Sequence, residues 1–268
     1  MHFDLITIFP NFFSGPFDHG VLRRAIQTGT VSVASHDLRQ FTHDRHRTVD
    51  DRPFGGGEGM VLKAEPISDA LASIHIGLKA GRDTSRESVV LLSAQGRPFT
   101  QAVAHELAAL DRVVFICGRY EGVDERVNEL YCDRELSIGD YVLSGGELAA
   151  AVIVDSVVRL LPGVLGNPDS AKFESFGAED TGNAHEPGAV PPSTHGSGGL
   201  LDYPHYTRPA EFQGVPIPDV LQGGNHEQIR RWRRQMSLEK TFRNRPELLE
   251  GTTLSKADQA FLRKLREQ

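Results

Sequence analysis

Three short segments of the chain combine glycine with polar and charged side chains, a composition typical of small-molecule sites. They span residues 92–97, 117–124 and 137–147. Glycine lets the backbone approach a ligand closely and adopt positive φ angles. The first two segments follow predicted strands, and open α/β sheets bind ligands at the carboxyl ends of their strands. Together the three segments predict one ligand-binding cleft.

The composition of these segments indicates the kind of ligand. They contain no G-x-x-x-x-G-K-[ST] motif and no G-x-G-x-x-G motif opening a helix, which disfavours a nucleotide-hydrolysing enzyme. An adenosine that carries a cationic sulfonium fits better, because Leu92, Ile138 and Leu143 could sandwich its ring. Glu121 or Asp140 could balance the positive charge. The predicted cofactor-binding residues are Leu92, Ser93, Ala94, Gln95, Gly96, Gly118, Arg119, Tyr120, Glu121, Gly122, Ser137, Ile138, Gly139, Asp140, Tyr141, Leu143, Gly145 and Gly146.

A fourth glycine-rich segment, residues 53–60, allows two interpretations. It is either a flexible connection or a loop whose backbone faces a nucleotide. Two histidines and three aspartates precede it, and for these a polar surface loop is favoured over a metal site. They are His43, Asp44, His46, Asp50 and Asp51.

Apolar runs predict the elements that position these segments. Residues 3–9, 31–38, 89–93 and 112–118 are typical of strands in a parallel sheet covered on both faces. One helix is predicted to open near Pro98. Another, from about residue 146 to 161, is nearly all apolar and is therefore expected to be buried or packed on another subunit. The alternation predicts an α/β fold.

Charge and composition divide the chain. Its 268 residues carry a net charge of −7, which argues against a general nucleic-acid coat. Residues 201–268 nevertheless hold 12 Lys and Arg against 9 Asp and Glu, with four arginines around Trp232 on a helix predicted to begin near Asn225. This helix is either a solvated surface or a phosphate-binding one. We predict a domain over 1–166, a flexible linker over 167–200 and a helical domain over 201–268.

Three features predict a cytoplasmic protein without a membrane role. Cys117 and Cys132 form no CxxC pair or disulfide framework, which suits a reducing compartment. The N-terminus lacks the basic start of a signal peptide. The longest apolar run, residues 148–154, is too short to cross a bilayer.

Ordered blocks along the chain resemble a known family. Residues 6–10, 53–60, 118–122, 137–146, 162–166, 206–209 and 224–232 are similar to the bacterial tRNA (guanine-N1)-methyltransferases acting at position 37, of the α/β-knot (SPOUT) superfamily. The resemblance implies a parallel-sheet domain with a deep trefoil knot, plus a small, mainly helical C-terminal domain that grips tRNA. It also implies S-adenosylmethionine bound in the knot, and a homodimer whose sites use both chains.

The resemblance also implies roles for single residues. Arg159 matches a catalytic arginine, although a cation at a helix C-terminus also has a helix-dipole explanation. Glu174 stands where the family has an aspartate proposed as the general base, with Asp169 and Asp180 as nearby rivals. Ala94 stands where the family usually has proline. Mg²⁺ could assist the deprotonation.

Substrate-binding residues are predicted in two places. They are Gly55, Gly56, Gly57, Glu58 and Gly59 in the glycine-rich segment, and Arg208, Arg230, Arg231 and Arg234 in the C-terminal domain. Two alternative functions stay open: a knotted methyltransferase acting on another RNA, and a non-catalytic RNA-binding protein.

Overall fold

The computed structural model describes residues 1–166, 174–177 and 198–267, and the chain divides into two compact units, Met1–Gly166 and Asn167–Gln268. The strands of the first unit are β1 (His2–Thr7), β2 (Ser32–Asp37), β3 (Asp50–Asp51), β4 (Val61–Leu62), β5 (Glu87–Pro98), β6 (Arg112–Cys117) and β7 (Arg134–Ser137). Its α-helices are α1 (Ser14–Phe17), α2 (Gly20–Gln27), α3 (Ala64–Ser73), α4 (Gln101–Ala108), α5 (Glu125–Tyr131) and α6 (Glu147–Val158).

A five-stranded parallel sheet is the centre of the first unit. Its strand order is β2-β1-β6-β5-β7, and β3 and β4 form a separate antiparallel pair. Side chains of a strand alternate between the two faces of the sheet. Phe115 accordingly joins a core with α2, α4 and α6, while Ile116 joins a core with α3 on the other face. The prediction of a parallel α/β sheet covered on both faces is confirmed for the central strands.

The structure corrects the prediction at the edges of this sheet. Strand β2 lies at one edge and is largely exposed or half-buried, so it is not the fully buried strand predicted over 31–38. Strand β7 at the other edge was missed, because its four residues, Arg134–Ser137, give no apolar run. The segment that follows it, 137–147, therefore also succeeds a strand.

Strand β5 is longer than predicted. After Leu92 its register with β7 shifts, and Arg97 and Pro98 then pair with Leu136 and Ser137. Residues 93–98 are thus a bulged continuation of the strand rather than a loop. Helix α4 begins later than expected because Pro98 belongs to the sheet. The helix starts at Gln101, and the side chain of Thr100 caps it by accepting a hydrogen bond from Val103 N.

Helix α6 is close to its predicted bounds. It runs from Glu147 to Val158 and buries Ile153, Val154 and Val157 in the core. Leu148 and Val152 on its outer side remain 49% and 46% exposed. The helix is therefore buried on one side, and its exposed side carries these two apolar residues together with Asp155.

The second unit contains a short hairpin and two long helices. These elements are β8 (Glu211–Phe212), β9 (Val215–Pro216), α7 (His226–Asn244) and α8 (Lys256–Arg266). Asn225 caps α7 as predicted, accepting hydrogen bonds from Glu227 N and Gln228 N. Leu200, Leu238 and Leu262 form the core of this unit.

Most of the predicted linker lies outside the described residues, which resume at Gly198. Within the described ranges, no helix is both long and apolar enough to span a membrane.

Candidate functional site

A cleft of about 370 Å³ opens beside the bulge of β5 and the carboxyl ends of β6 and β7. Small-molecule sites commonly have volumes of roughly 300–1,000 Å³. The cleft is lined by Leu91, Leu92, Ser93, Ala94, Gln95, Gly118, Arg119, Tyr120, Glu121, Gly122, Val123, Glu125, Glu135, Leu136, Ser137, Ile138, Gly139, Tyr141, Val142, Leu143, Ser144, Gly145, Gly146 and Ala149. The structure thus brings together all three predicted segments.

Two residues predicted to bind the cofactor are not part of this lining. Gly96 lies in the bulged part of β5 that pairs with β7, and Asp140 is exposed to solvent. The Leu92 side chain is only 3% exposed and belongs to the core. Leu92 still lines the cleft, and Ile138 and Leu143, which are half-buried, offer a ligand more of their surface.

Carboxylates dominate the charge of the lining. Glu121, Glu125 and Glu135 all line the cleft, and sequence analysis had identified only the first. Glu135 could have been predicted if β7 had been recognised as a strand, but β7 is too polar to show an apolar run. The Arg119 guanidinium is itself paired with the Glu147 carboxylate, 2.9 Å away. The cleft therefore suits a cationic ligand better than an anionic one.

Tyr120 stands at the cleft in a strained backbone conformation. Its φ angle is +59°, which is rare for a bulky side chain. Such conformations cost roughly 1–3 kcal/mol and persist only where the surroundings hold them. Here the Gly122 N–H donates to Arg119 O at 3.0 Å, closing a turn around Tyr120. The ring is 52% exposed at the cleft.

The glycine-rich segment 53–60 is joined to the cleft wall. The Glu121 N–H donates to Met60 O at 3.0 Å. Gly59 has a φ of +77°, which favours glycine, and a Cβ there would lie 2.5 Å from the Glu121 side chain, which would have to move. Phe54 on the same segment is fully exposed. The predicted substrate loop thus lies beside the second cleft segment.

The polar residues before this loop form a hydrogen-bonded turn. The Asp44 carboxylate accepts bonds from Thr48 N and His46 N at 2.9 and 2.8 Å, and from Thr48 Oγ1. The bond from Thr48 N is the main cause that lowers the pKa of Asp44. No group of three or more metal-binding side chains occurs in the part of the chain that the structure describes.

The two predicted catalytic residues belong to different units. Arg159 is the C-cap residue that follows helix α6 in the first unit, and it is half-buried. Glu174 begins a short described segment that is held within the second unit. There Phe176 N donates to Leu200 O at 3.0 Å, and Asp202 N donates to Ser175 Oγ at 2.9 Å. Asp169 and Asp180, the rivals for the base, lie outside the described residues.

The predicted phosphate-binding arginines differ in their surroundings. Arg208 and Arg231 are exposed, and Arg230 is half-buried. Arg234 instead pairs with Asp258, Nη2 to Oδ2, at 3.1 Å. Its charge is therefore partly engaged within the unit.

A larger and more open hollow of about 790 Å³ lies elsewhere in the first unit, between α1, α2 and β2. Phe13, Arg23 and Val33 contribute to its lining. None of the predicted site residues borders it, so the smaller cleft is the better candidate.

The parallel sheet and the glycine-rich, acidic cleft at the carboxyl ends of its strands define an α/β protein with a small-molecule site. Comparison with known proteins makes the class specific. The family model described as tRNA (Guanine-1)-methyltransferase TrmD matches residues 1–251. The chain therefore belongs to this tRNA (guanine-1)-methyltransferase family, and with it to the α/β-knot (SPOUT) superfamily.

Individual relatives match over nearly their whole length. The chain is 62% identical over 266 residues to the tRNA (guanine-N(1)-)-methyltransferase of Koribacter versatilis (strain Ellin345), covering 99% of this chain and 98% of the relative. It is 48% identical to the enzyme of that name from Geobacter metallireducens, covering 100% and 98% of the two chains. The Dictyoglomus turgidum enzyme of that name is 47% identical, with the same coverage.

Proposed function

We propose that this chain transfers a methyl group from S-adenosylmethionine to N1 of guanosine 37 in tRNA. The observation that carries the proposal is full-length membership of the tRNA (guanine-1)-methyltransferase family. The cleft supports it independently, because an acidic, glycine-rich lining at the ends of parallel strands suits a cationic adenosine derivative. Methyl transfer to RNA accounts for both the family membership and the acidic cleft.

The cleft is the proposed cofactor site. Backbone groups of 118–122 and 137–146 would read the adenine edge, and Ile138 and Leu143 would pack against its ring. Glu121, Glu125 or Glu135 would balance the positive charge of the sulfonium or the amino group. S-adenosylmethionine is the proposed cofactor because a methyltransferase needs a methyl donor and the sulfonium of this donor is positively charged.

Transfer requires that guanine N1 lose a proton and gain the methyl carbon. We assign the proton to the Glu174 carboxylate as general base. The bond from N1 to the methyl carbon forms as the sulfur–carbon bond breaks, and that electron pair returns to sulfur. Loss of the N1 proton leaves negative charge shared with guanine O6, where a hydrogen bond from Arg159 would stabilise it until the N1–methyl bond forms and the ring is neutral again. The guanine is expected to leave its stack to reach the site.

The tRNA is proposed to contact both units. The glycine-rich loop 53–60 would face the nucleotide, with Phe54 and the joined cleft wall beside it. In the second unit, exposed Arg208 and Arg231 are the better candidates for phosphate contacts, and the Tyr206 and Trp232 rings lie 6.2 Å apart nearby. This surface would provide affinity rather than chemistry.

A trefoil knot and a homodimer are part of the same proposal. The knot is proposed from membership of the family. Gly146 N donates to Gly118 O at 2.9 Å, so the segment entering α6 runs against the end of β6. The exposed Leu148 and Val152 of α6 would pack on a second copy. Sedimentation equilibrium tests the dimer, and a monomer at micromolar concentration would contradict it.

We place the reaction in the cytoplasm, since Cys117 and Cys132 are both free and buried, as reduced thiols are. A role for Mg²⁺ is a further expectation from the family. The described residues offer no cluster that would hold the ion, so no step is assigned to it.

The test is transfer of labelled methyl from S-adenosylmethionine to two tRNA transcripts, one with guanosine and one with adenosine at position 37. Transfer to the first alone, located at N1, is the expected result. Equal labelling of both would mean that a nucleotide other than 37 is methylated. Cofactor binding without transfer to either would favour a methyltransferase acting on another RNA or a non-catalytic RNA-binding protein.

A further inference from the structure

Glu147 is a buried carboxylate directly behind the cleft. It is 1% exposed and lies in the first turn of α6, next to Gly145 and Gly146, which line the cleft. A buried charge is costly unless it is paired and hydrogen-bonded. Both oxygens of Glu147 meet this requirement, and each does so with a different part of the chain.

One oxygen reaches the end of β1. Oε1 accepts a hydrogen bond from Thr7 Oγ1 at 2.7 Å, and the same hydroxyl accepts from Phe9 N at 2.9 Å. Thr7 is 1% exposed. The last turn of chain after β1 is thus connected to the first turn of α6.

The other oxygen reaches the segment after β6. Oε2 accepts a hydrogen bond from Arg119 Nε at 3.0 Å and lies 2.9 Å from Arg119 Nη2, so two guanidinium nitrogens contact the same carboxylate oxygen. Arg119 in turn donates from Nη1 to Ser144 O at 3.0 Å, and its guanidinium lies 4.6 Å from the centre of the Phe9 ring. Three segments of the cleft region therefore meet at one ion pair.

We infer that Glu147 is a positioning residue for the cofactor cleft. Glu147 is absent from the lining, whereas Arg119 and Ser144 belong to it. The carboxylate fixes the Arg119 guanidinium, and the guanidinium holds segment 118–122 at a set spacing from 144–146. Loss of the carboxylate removes no ligand-facing group but lets the two segments separate. This inference rests on the proposed function for the identity of the ligand.

The test measures S-adenosylmethionine affinity by titration calorimetry in full-length Glu147→Gln. Remote substitutions that alter coupling change affinity by roughly 3- to 30-fold, and a loss of that size is expected. At saturating cofactor, kcat should stay near the wild-type value, since no reacting group has changed. The matched control is Glu129→Gln, an exposed carboxylate on α5, which should leave affinity unchanged.

A second comparison separates positioning from general stability. Because Glu147 acts through Arg119, the double variant Glu147→Gln with Arg119→Met should lose no more affinity than the worse single variant. Glu147→Asp, which keeps the charge, should recover part of the affinity. Additive losses would mean that the two residues act separately and would overturn the inference.

Unchanged affinity in folded Glu147→Gln would also overturn it. Should that variant fail to fold, Thr7→Val decides, since it removes one hydrogen bond to Glu147 outside the cleft. A smaller loss of affinity in Thr7→Val supports the inference, and wild-type affinity contradicts it. Failure of the proposed function is distinguishable, because it would appear as absent binding or transfer in the wild-type protein.

Discussion

Gly146 and Gly118 join the segment that enters α6 to the end of β6. The Gly146 N–H donates to Gly118 O at 2.9 Å. A Cβ on Gly146 would lie 2.8 Å from Cys117 Cα and 3.1 Å from Leu92 Cβ. This approach of three chain segments, which sets the depth of the cleft, requires the absence of a side chain.

Gly146→Ala is therefore expected to lower the free energy of unfolding by about 1–3 kcal/mol, the usual cost of overpacking a filled site. S-adenosylmethionine affinity should fall as well, because the backbone must move at the cleft. Urea denaturation and titration calorimetry measure the two effects. Gly77→Ala is the control, since nothing lies within 4 Å of a Cβ there and its φ is ordinary. Equal stability of the two variants would contradict the tight approach.

Arg159→Ala should reduce kcat strongly and leave cofactor affinity near wild type. Removing one donor from a developing negative charge costs roughly 10²- to 10³-fold in rate. Single-turnover methylation of tRNA under saturating cofactor gives the rate. Arg23→Ala, on α2 and away from the cleft, is the control. Turnover close to wild type would remove Arg159 from the mechanism.

Glu174→Gln should lower the rate of methyl transfer by roughly 10²- to 10⁴-fold, the contribution of a positioned general base. The acidic limb of the pH–rate profile should disappear with it, because the titrating carboxylate is gone. Asp169→Asn and Asp180→Asn, measured beside it, should retain most activity. If one of them is the inactive variant instead, the base has been assigned to the wrong residue.

The Asp4 carboxylate is expected to make a contribution to the free energy of unfolding that depends on pH. Burial raises its pKa, but hydrogen bonds from His36 and Arg112 outweigh burial and lower the pKa from 3.8 to about 2. The folded pKa is below the unfolded one, so the stabilisation is present above the unfolded value and is lost as the pH falls from 3.8 to about 2. The shift corresponds to roughly 2 kcal/mol.

Asp4→Asn should therefore be less stable than wild type at pH 7, with a difference that narrows toward pH 2. Urea unfolding at pH 7, 5 and 3 measures this. Asp18→Asn, exposed after α1, should match wild type throughout. A difference for Asp4→Asn that is independent of pH would argue against the charged pair as its cause.

Two arginines of α7 should respond differently to substitution. Arg231→Ala should weaken binding to tRNAs of every sequence by a similar factor. It should also reduce the slope of log affinity against log salt concentration by about 1, as the loss of one phosphate contact does. Arg234→Ala should mainly lower thermal stability, because it leaves the buried Asp258 carboxylate without its partner. Filter binding at several salt concentrations and thermal denaturation separate the effects. An unchanged salt slope in Arg231→Ala would contradict phosphate contact.

Local patterns in the sequence determined the strands β1, β5 and β6, the helices α6 and α7, and most of the cleft lining. Apolar runs and caps such as Asn225 act over a few residues, so they can be read directly. Of the 18 cofactor-binding residues predicted from the glycine segments, 16 line the cleft. Family blocks in the sequence supplied the proposed chemistry.

Only the tertiary structure decided the rest. Strand β7 is four residues long and exists through its pairing with β5, so no local pattern marks it. Glu135 reaches the cleft for that reason. Thr7, Arg119 and Glu147 are separated by up to 140 residues and meet only because the sheet brings the ends of β1, β6 and β7 together. Contacts between distant parts of the chain depend on packing, which spacing within one segment does not encode.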